Sequence, residues 1–186
     1  MGLAAKYKKS LDEKWCMRFK TSHPEGDAYD GVVISIGRTL IALRQEGDFE
    51  FDGLQFLPKH VISGYRDDRF DRCCNEILRN NGEIKKIRTP RGVKTIQTIP
   101  DVIRWCLSGD IWPAIEVIDP KHGGLLYVGP IVGVGLGEFQ IEGYDADGTW
   151  EQIYTLNFDD VFRVEVDSKY VNRFNAYMGS KERMAK

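Results

Sequence analysis

The chain writes one pattern twice, at residues 31–78 and again at 129–178. Gly31-Val32-Val33-Ile34-Ser35-Ile36-Gly37 lies against Gly129-Pro130-Ile131-Val132-Gly133-Val134-Gly135. Further on, the ten residues from Val61 to Phe70 lie against those from Val161 to Tyr170, Asn75 meets Asn175, and Leu78 meets Met178. Such a repeat constrains the fold more than any local propensity, because what the first copy builds the second must build too. The spacing drifts from 97 residues (Trp15 to Trp112) through 98 (Gly31 to Gly129) to 100 (Val61 to Val161). One residue inserted near Pro113 accounts for the first step and sets Ile115 and Val117 opposite Met17 and Phe19. A proline in a strand belongs at an edge or a bulge, where an extra residue is tolerated. The second step falls after Ile141, where the loop 143–148 outruns the loop 45–48.

Each copy reads as helix, five short strands, helix. Leu3, Tyr7 and Leu11 recur at helical spacing across residues 3–13. Trp15, Met17 and Phe19 then alternate as one face of a strand, and further strands follow at 32–36, 40–44, 49–57 and 61–66. Asp67 is placed to cap a helix that buries Phe70, Cys73, Cys74, Ile77 and Leu78. The second copy has a helix at 100–107, a strand at 111–118 and a loop at 119–125. Strands follow at 129–135, 138–142, 150–156 and 161–166. A helix from Asp167 or Ser168 then carries Tyr170, Phe174, Tyr177 and Met178, and a frayed tail runs over 180–186. The organisation expected is a first barrel at 1–81, a basic linker or hairpin at 82–99 and a second barrel at 100–186. Thr89-Pro90-Arg91-Gly92 suits a type I turn, with 84–88 and 93–98 as arms.

Short, sharply turned strands rich in glycine favour a small closed barrel, which removes exposed edges. A helix followed by five bent antiparallel strands resembles the Sm-like fold, a variant of the SH3-like small barrel. The Gly31–Ile36 run is similar to the second strand of that family, and the strands at Val61 and Val161 to its last. The fold class implied is mainly β with short helices: two tandem five-stranded Sm-like or SH3-like barrels, each with an N-terminal and a C-terminal helix. RNA-binding members carry Asp and Asn near the turn that here is Gly37-Arg38-Thr39 or Gly135-Leu136-Gly137, and Arg-Gly at the corner that here is Pro58-Lys59-His60 or Phe158-Asp159-Asp160. Those residues are missing, so no RNA site transfers.

Composition narrows the rest. Hydrophobic residues make up 42% and charged ones 29% of 186, an ordinary globular balance, and no apolar run approaches the ~20 residues that span a bilayer. The N-terminal residues form neither a secretory signal nor a myristoylation pattern, which suggests a cytoplasmic protein without a membrane role. Cys16, Cys73, Cys74 and Cys106 have no metal spacing and read as buried reduced thiols.

The sharpest charge feature is Lys85, Lys86, Arg88, Arg91 and Lys94, able to contact phosphates if exposed, or else a solvated linker. The glycines at 133–137 precede a strand and lack the Lys of a phosphate loop. His23 and His122, near Glu25, Asp27 and Asp119, read as turn residues rather than metal ligands. Asp67-Asp68 and Asp159-Asp160 suit caps and turns better than acid–base work. The leading expectation is a non-enzymatic binding protein, a protein-interaction module with a protein partner or self-association, without cofactor, metal or catalytic residues. The alternative is an RNA- or DNA-binding protein using 85–94; a small-molecule enzyme ranks last.

Overall fold

Alternation does become strand, and the glycines fall where strands bend. The computed structural model describes residues 2–22, 28–119 and 123–181. Eleven strands and five α-helices make these residues mainly β, divided between two compact units, Met1–Thr98 and Ile99–Lys186.

In the first unit, α1 (Leu3–Glu13) precedes β1 (Met17–Thr21), β2 (Ala28–Ile36), β3 (Leu40–Gly47), β4 (Glu50–Pro58) and β5 (Ile62–Arg66). A 3-10 turn, Lys59–Val61, leads into β5, and α2 (Arg69–Asn80) follows it. All pairings are antiparallel, in the order β5-β1-β2-β3-β4. Phe19, Leu43, Leu54, Phe56 and Leu78 are fully buried in its core. α1 buries Lys6, Tyr7 and Ser10, while Leu3 and Leu11 are half-buried. Ser10 earns its place through hydrogen bonds: its hydroxyl donates to the Trp15 carbonyl at 2.7 Å and accepts from the Val33 amide at 2.9 Å.

α2 begins one residue later than expected. Asp68 is the cap, accepting from the Phe70 and Asp71 amides, while Asp71 accepts in return from the Asp68 amide. The buried face is Asp71, Cys74, Asn75 and Leu78; Phe70 and Cys73, expected inside, are exposed. That one-position rotation follows from bonding. Arg66 grips the Asp71 carboxylate, and Asn75 ties down the residue before β1.

Residues 83–98 are neither hairpin nor free linker. They form α3 (Glu83–Lys86) and a 3-10 turn (Val93–Thr95) within the first unit. Val93, Ile96 and Ile99 recur every three residues rather than every two, and these three and Ile87 are buried. The Gln97 carbonyl accepts from the Thr39 amide at 3.0 Å, pinning the segment to the β2–β3 turn.

The second unit holds α4 (Ile99–Ser108), β6 (Ala114–Asp119), β7 (Gly123–Val128), β8 (Ile131–Val134), β9 (Glu138–Tyr144), β10 (Trp150–Asn157), β11 (Val161–Val166) and α5 (Lys169–Gly179). β11, β6 and β7 pair in that order, as do β8, β9 and β10. Part of the expected loop 119–125 is therefore strand, and the expected strand 129–135 starts only at Ile131. The break is Gly129-Pro130, where the chain leaves β6 for β9: the Gly129 amide donates to the Pro113 carbonyl, and the Pro130 carbonyl accepts from Glu142. In neither unit do the described pairings close a ring, so closed barrels are replaced by open strand orders.

Several contacts of one unit have a counterpart in the other. A Cβ on Gly31 would lie 2.6 Å from the Arg44 carbonyl oxygen, and one on Gly129 2.0 Å from that of Glu142. Both glycines sit where the second strand crosses the third, and neither site has room for a side chain. Asn75 brackets Cys16, accepting from its amide and donating to its carbonyl at 2.8 Å each; Asn175 donates to the Trp112 carbonyl at 2.9 Å. Cys16 thus matches Trp112, and Phe19, paired with Tyr29, matches Ile115, paired with Tyr127. The expected match of Trp15 with Trp112 is therefore off by one residue and that of Met17 with Ile115 by two, the latter a slip that period-2 alternation cannot detect.

Candidate functional site

The described residues of the second unit carry most of the exposed apolar bulk. Of nine exposed large hydrophobic residues, seven lie there, from Leu107 to Tyr177; Phe49 and Phe70 are in the first. Charge divides as well. Residues 1–98 hold 18 Lys and Arg against 14 Asp and Glu, net +4; residues 99–186 hold 8 against 14, net −6.

The apolar surface is organised by α5. Ser168 caps it, accepting from the Val171 amide, and Val171 and Met178 anchor it in the core. Tyr170, Phe174 and Tyr177 then fall one turn apart along its outer edge. Phe174 stacks on Tyr144 with centroids 6.2 Å apart and meets Tyr170 at 4.9 Å. The Tyr144 hydroxyl donates to Asn175 Oδ1 at 2.8 Å, and burial raises its phenol well above the usual range, so it stays a neutral donor. Behind it, Trp150 packs edge-on to both Tyr144 and Trp112 at 5.8 Å.

Opposite α5 is the β9–β10 loop. Asp145 and Asp147 cap successive turns, accepting from the Asp147 and Thr149 amides. Hydrogen bonds from Thr149 hold the Asp147 carboxyl below its ordinary value, so it is anionic throughout the neutral range. Gly148 approaches α5 so closely that a Cβ would lie 2.6 Å from the Tyr177 ring, at a φ of +80°. Between loop and helix lies a cleft of about 290 Å³, lined by Ala146, Asp147, Gly148, Arg173, Phe174 and Tyr177. A second hollow of about 240 Å³ shares Ala146 and Phe174 with it and adds Leu126, Tyr144, Glu151 and Tyr170 among others. The cleft already receives an ammonium group. Lys181 Nζ rests 4.5 Å from the Tyr177 centroid and donates to the Gly148 carbonyl at 2.6 Å.

The basic residues read from the sequence are all exposed, but they do not act as one set. Lys86 pairs with Glu83, and Arg88 donates to the Lys85 and Ile87 carbonyls. Lys85, Arg91 and Lys94 stand free among the described residues. Asp67 is held by Lys6 and Lys9, Asp68 caps α2, and Asp160 accepts from Asn157. The glycines of 133–137 belong to β8 and its turn into β9. His23, His122, Glu25 and Asp27 lie outside the described residues. Sequence reasoning had Tyr170, Phe174 and Tyr177 on one helix but not as a surface. What makes them one is the register of β9 and its loop, which helical spacing does not carry.

The chain matches no known protein family, no curated protein and no solved structure.

Proposed function

We propose that this is a non-enzymatic protein-interaction module that binds a lysine-bearing peptide segment in the cleft between α5 and the β9–β10 loop. The observation that carries the reading is Lys181 on Tyr177: the cleft holds an ammonium group against an aromatic face and a carbonyl, the pairing a ligand lysine would use. Asp145, Asp147 and Glu151 supply the complementary charge, and Tyr170, Phe174 and Leu126 a place for an apolar neighbour. The framework is read as two Sm-like units from one duplicated ancestor. Support comes from the order β5-β1-β2-β3-β4 beside β11-β6-β7 and β8-β9-β10, and from the matching Gly31/Gly129 and Asn75/Asn175.

The test is fluorescence anisotropy against peptides of equal length bearing lysine with a neighbouring leucine, lysine alone, or aspartate with leucine. The first should bind best and the third not at all. Tyr177→Ala and Tyr170→Ala, both on exposed rings, should each weaken it by ~10-fold or more, the behaviour of aromatic hot spots. Equal binding of all three peptides, or indifference to both substitutions, would end the reading.

A second reading rests on the free Lys85, Arg91 and Lys94 of the cationic first unit, which suit a nucleic-acid backbone. Three neutralised phosphates would give a salt slope of roughly −2 on single strands. Reversing those three charges should abolish oligonucleotide binding, whereas reversing Lys86, already paired with Glu83, should not.

A further inference from the structure

The first unit brings two thiols and a carboxylate together from three separate elements. Cys16 immediately precedes β1, Cys74 lies on the inner face of α2, and Glu46 is near the end of β3. Their Sγ atoms and a Glu46 carboxylate oxygen all lie within 4.8 Å of one another, with both cysteines buried and Glu46 half-buried. Donors about 2.3 Å from a tetrahedral ion stand about 3.8 Å apart, so small rotamer adjustments suffice to close the set on one centre.

The surroundings hold these donors in place. Asn75, next to Cys74 on α2, bonds both the amide and the carbonyl of Cys16, fixing helix to strand where the two thiols meet. Glu46 Oε1 accepts from the Phe49 amide at 2.8 Å, which orients the carboxylate and leaves its other oxygen for a ligand. Nearby, the Arg18 guanidinium is engaged by the Asp30 carboxylate.

The matching corner of the second unit is built differently. Cys16 corresponds to Trp112 through the paired asparagines. Cys74 corresponds to Phe174, one residue before each asparagine. Glu46 corresponds to Tyr144 through the Gly31–Gln45 pair and the matching approach of Gly129 to Gly143. Three aromatic side chains fill in one unit the corner that two thiols and a carboxylate line in the other. The two units thus differ at all three matching positions, and in the first unit all three are metal-ligand types.

We propose that Cys16, Cys74 and Glu46 bind a thiophilic divalent cation of the zinc class, with a fourth position open to solvent. Two thiolates select such an ion over magnesium or calcium, and one carboxylate completes a tridentate protein set. On binding, the two S–H bonds give way to two S–metal bonds and two protons pass to solvent; no electron is transferred.

The experiment uses the full chain, reduced with a non-chelating phosphine and freed of metal. One equivalent of Co²⁺ should produce thiolate-to-cobalt charge-transfer absorption, which one equivalent of Zn²⁺ removes, and Mg²⁺ should do neither. Zinc uptake in weakly buffered solution should release about two protons per chain. Cys16→Ser or Cys74→Ser should abolish the band, Cys73→Ser should leave it intact, and Glu46→Gln should weaken zinc binding ~10-fold or more. Absence of the band in reduced wild-type protein, or its loss in Cys73→Ser, overturns the proposal. So does a Cys16–Cys74 disulfide that takes up no cobalt once reduced. Should the Cys16 variant fail to fold, proton release by the wild-type chain decides.

Discussion

Asn75 and Asn175 are the same residue in matching places, yet their removal should cost very different amounts. Asn75 is 1% exposed and makes three hydrogen bonds of 2.8 Å, two to Cys16 and one to the Asp71 carbonyl. Asn75→Ala orphans the amide and the carbonyl of Cys16, itself 3% exposed. At ~1–3 kcal/mol for each unsatisfied buried group, the loss is about 4 kcal/mol. Asn175 is half-buried and so is Trp112, so solvent can take over at the Trp112 carbonyl, and Asn175→Ala should cost about 1 kcal/mol. With a urea slope of roughly 2 kcal/mol/M, the midpoints should fall by about 2 M and 0.5 M. Asn75→Asp separates bonding from volume. It keeps the shape and one acceptor but loses the donor, and should be at least as damaging as alanine at neutral pH. Hydrogen exchange of the Cys16 amide should quicken in both Asn75 variants and not in Asn175→Ala. Equal midpoint shifts for the two alanine variants, or a mild Asn75→Asp, would refute the reasoning.

Other consequences can be checked alongside. Asp48 and Phe49 both have positive φ in the β3–β4 turn, so Phe49→Gly should relieve about 1 kcal/mol of backbone strain, seen as a higher thermal midpoint. Burial works to raise the Asp67 carboxyl, but Lys6 and Lys9 outweigh it and hold it below its ordinary 3.8; the bond to Asp67 in turn raises Lys6 above 10.5. A depressed acid stabilises above its unfolded value and loses that contribution as pH falls through the folded one; the raised lysine loses its own as pH climbs above 10.5. Asp67→Asn should therefore lower stability between about pH 4 and 10 and flatten the acid limb of a denaturation profile, a difference absent if the pair is idle. Burial pushes the Cys106 thiol up to about 12, so alkylation near neutral pH should modify exposed Cys73 first and spare Cys106 while the chain is folded.

The elements were legible because their signals are local. α5 was bounded by Ser168, and β11 matched its residues. What failed was whatever depended on partners far along the chain. Alternation places Met17 and Phe19 on one face but cannot tell whether Ile115 matches the first or the second, and a slip of two leaves every side chain facing as before. α2 was rotated because Phe70 and Cys73 look more apolar than Asp71 and Asn75. The partners that make the polar pair better buried, Arg66 and Cys16, lie 5 and 59 residues away. The segment 83–98 departs from the expected hairpin or linker for a related reason. Its basic residues dominate the composition, while Ile87, Val93 and Ile96 decide the packing.

The same distance explains why neither candidate site could be seen in advance. Cys16, Glu46 and Cys74 are separated by 30 and 28 residues, far from any metal-ligand spacing, and become neighbours only through the pairing of β1 with β2, β2 with β3, and α2 with Cys16. Tyr144, Phe174 and Trp112 are assembled by the corresponding contacts. At the matching corner of each unit the backbone is fixed by Gly31 or Gly129 and by Asn75 or Asn175. Side chains there can change without disturbing the strand crossing, provided the asparagine and the glycine stay. Substitution is therefore expected to be tolerated first at positions 16, 46 and 74 and their counterparts, whose side chains meet one another rather than hold the crossing. Exchanging the three for their counterparts in the other unit should leave the strand pairing intact while moving the aromatic surface, and any cobalt absorption, with the side chains. Collapse of the recipient unit would show instead that these residues belong to the crossing itself.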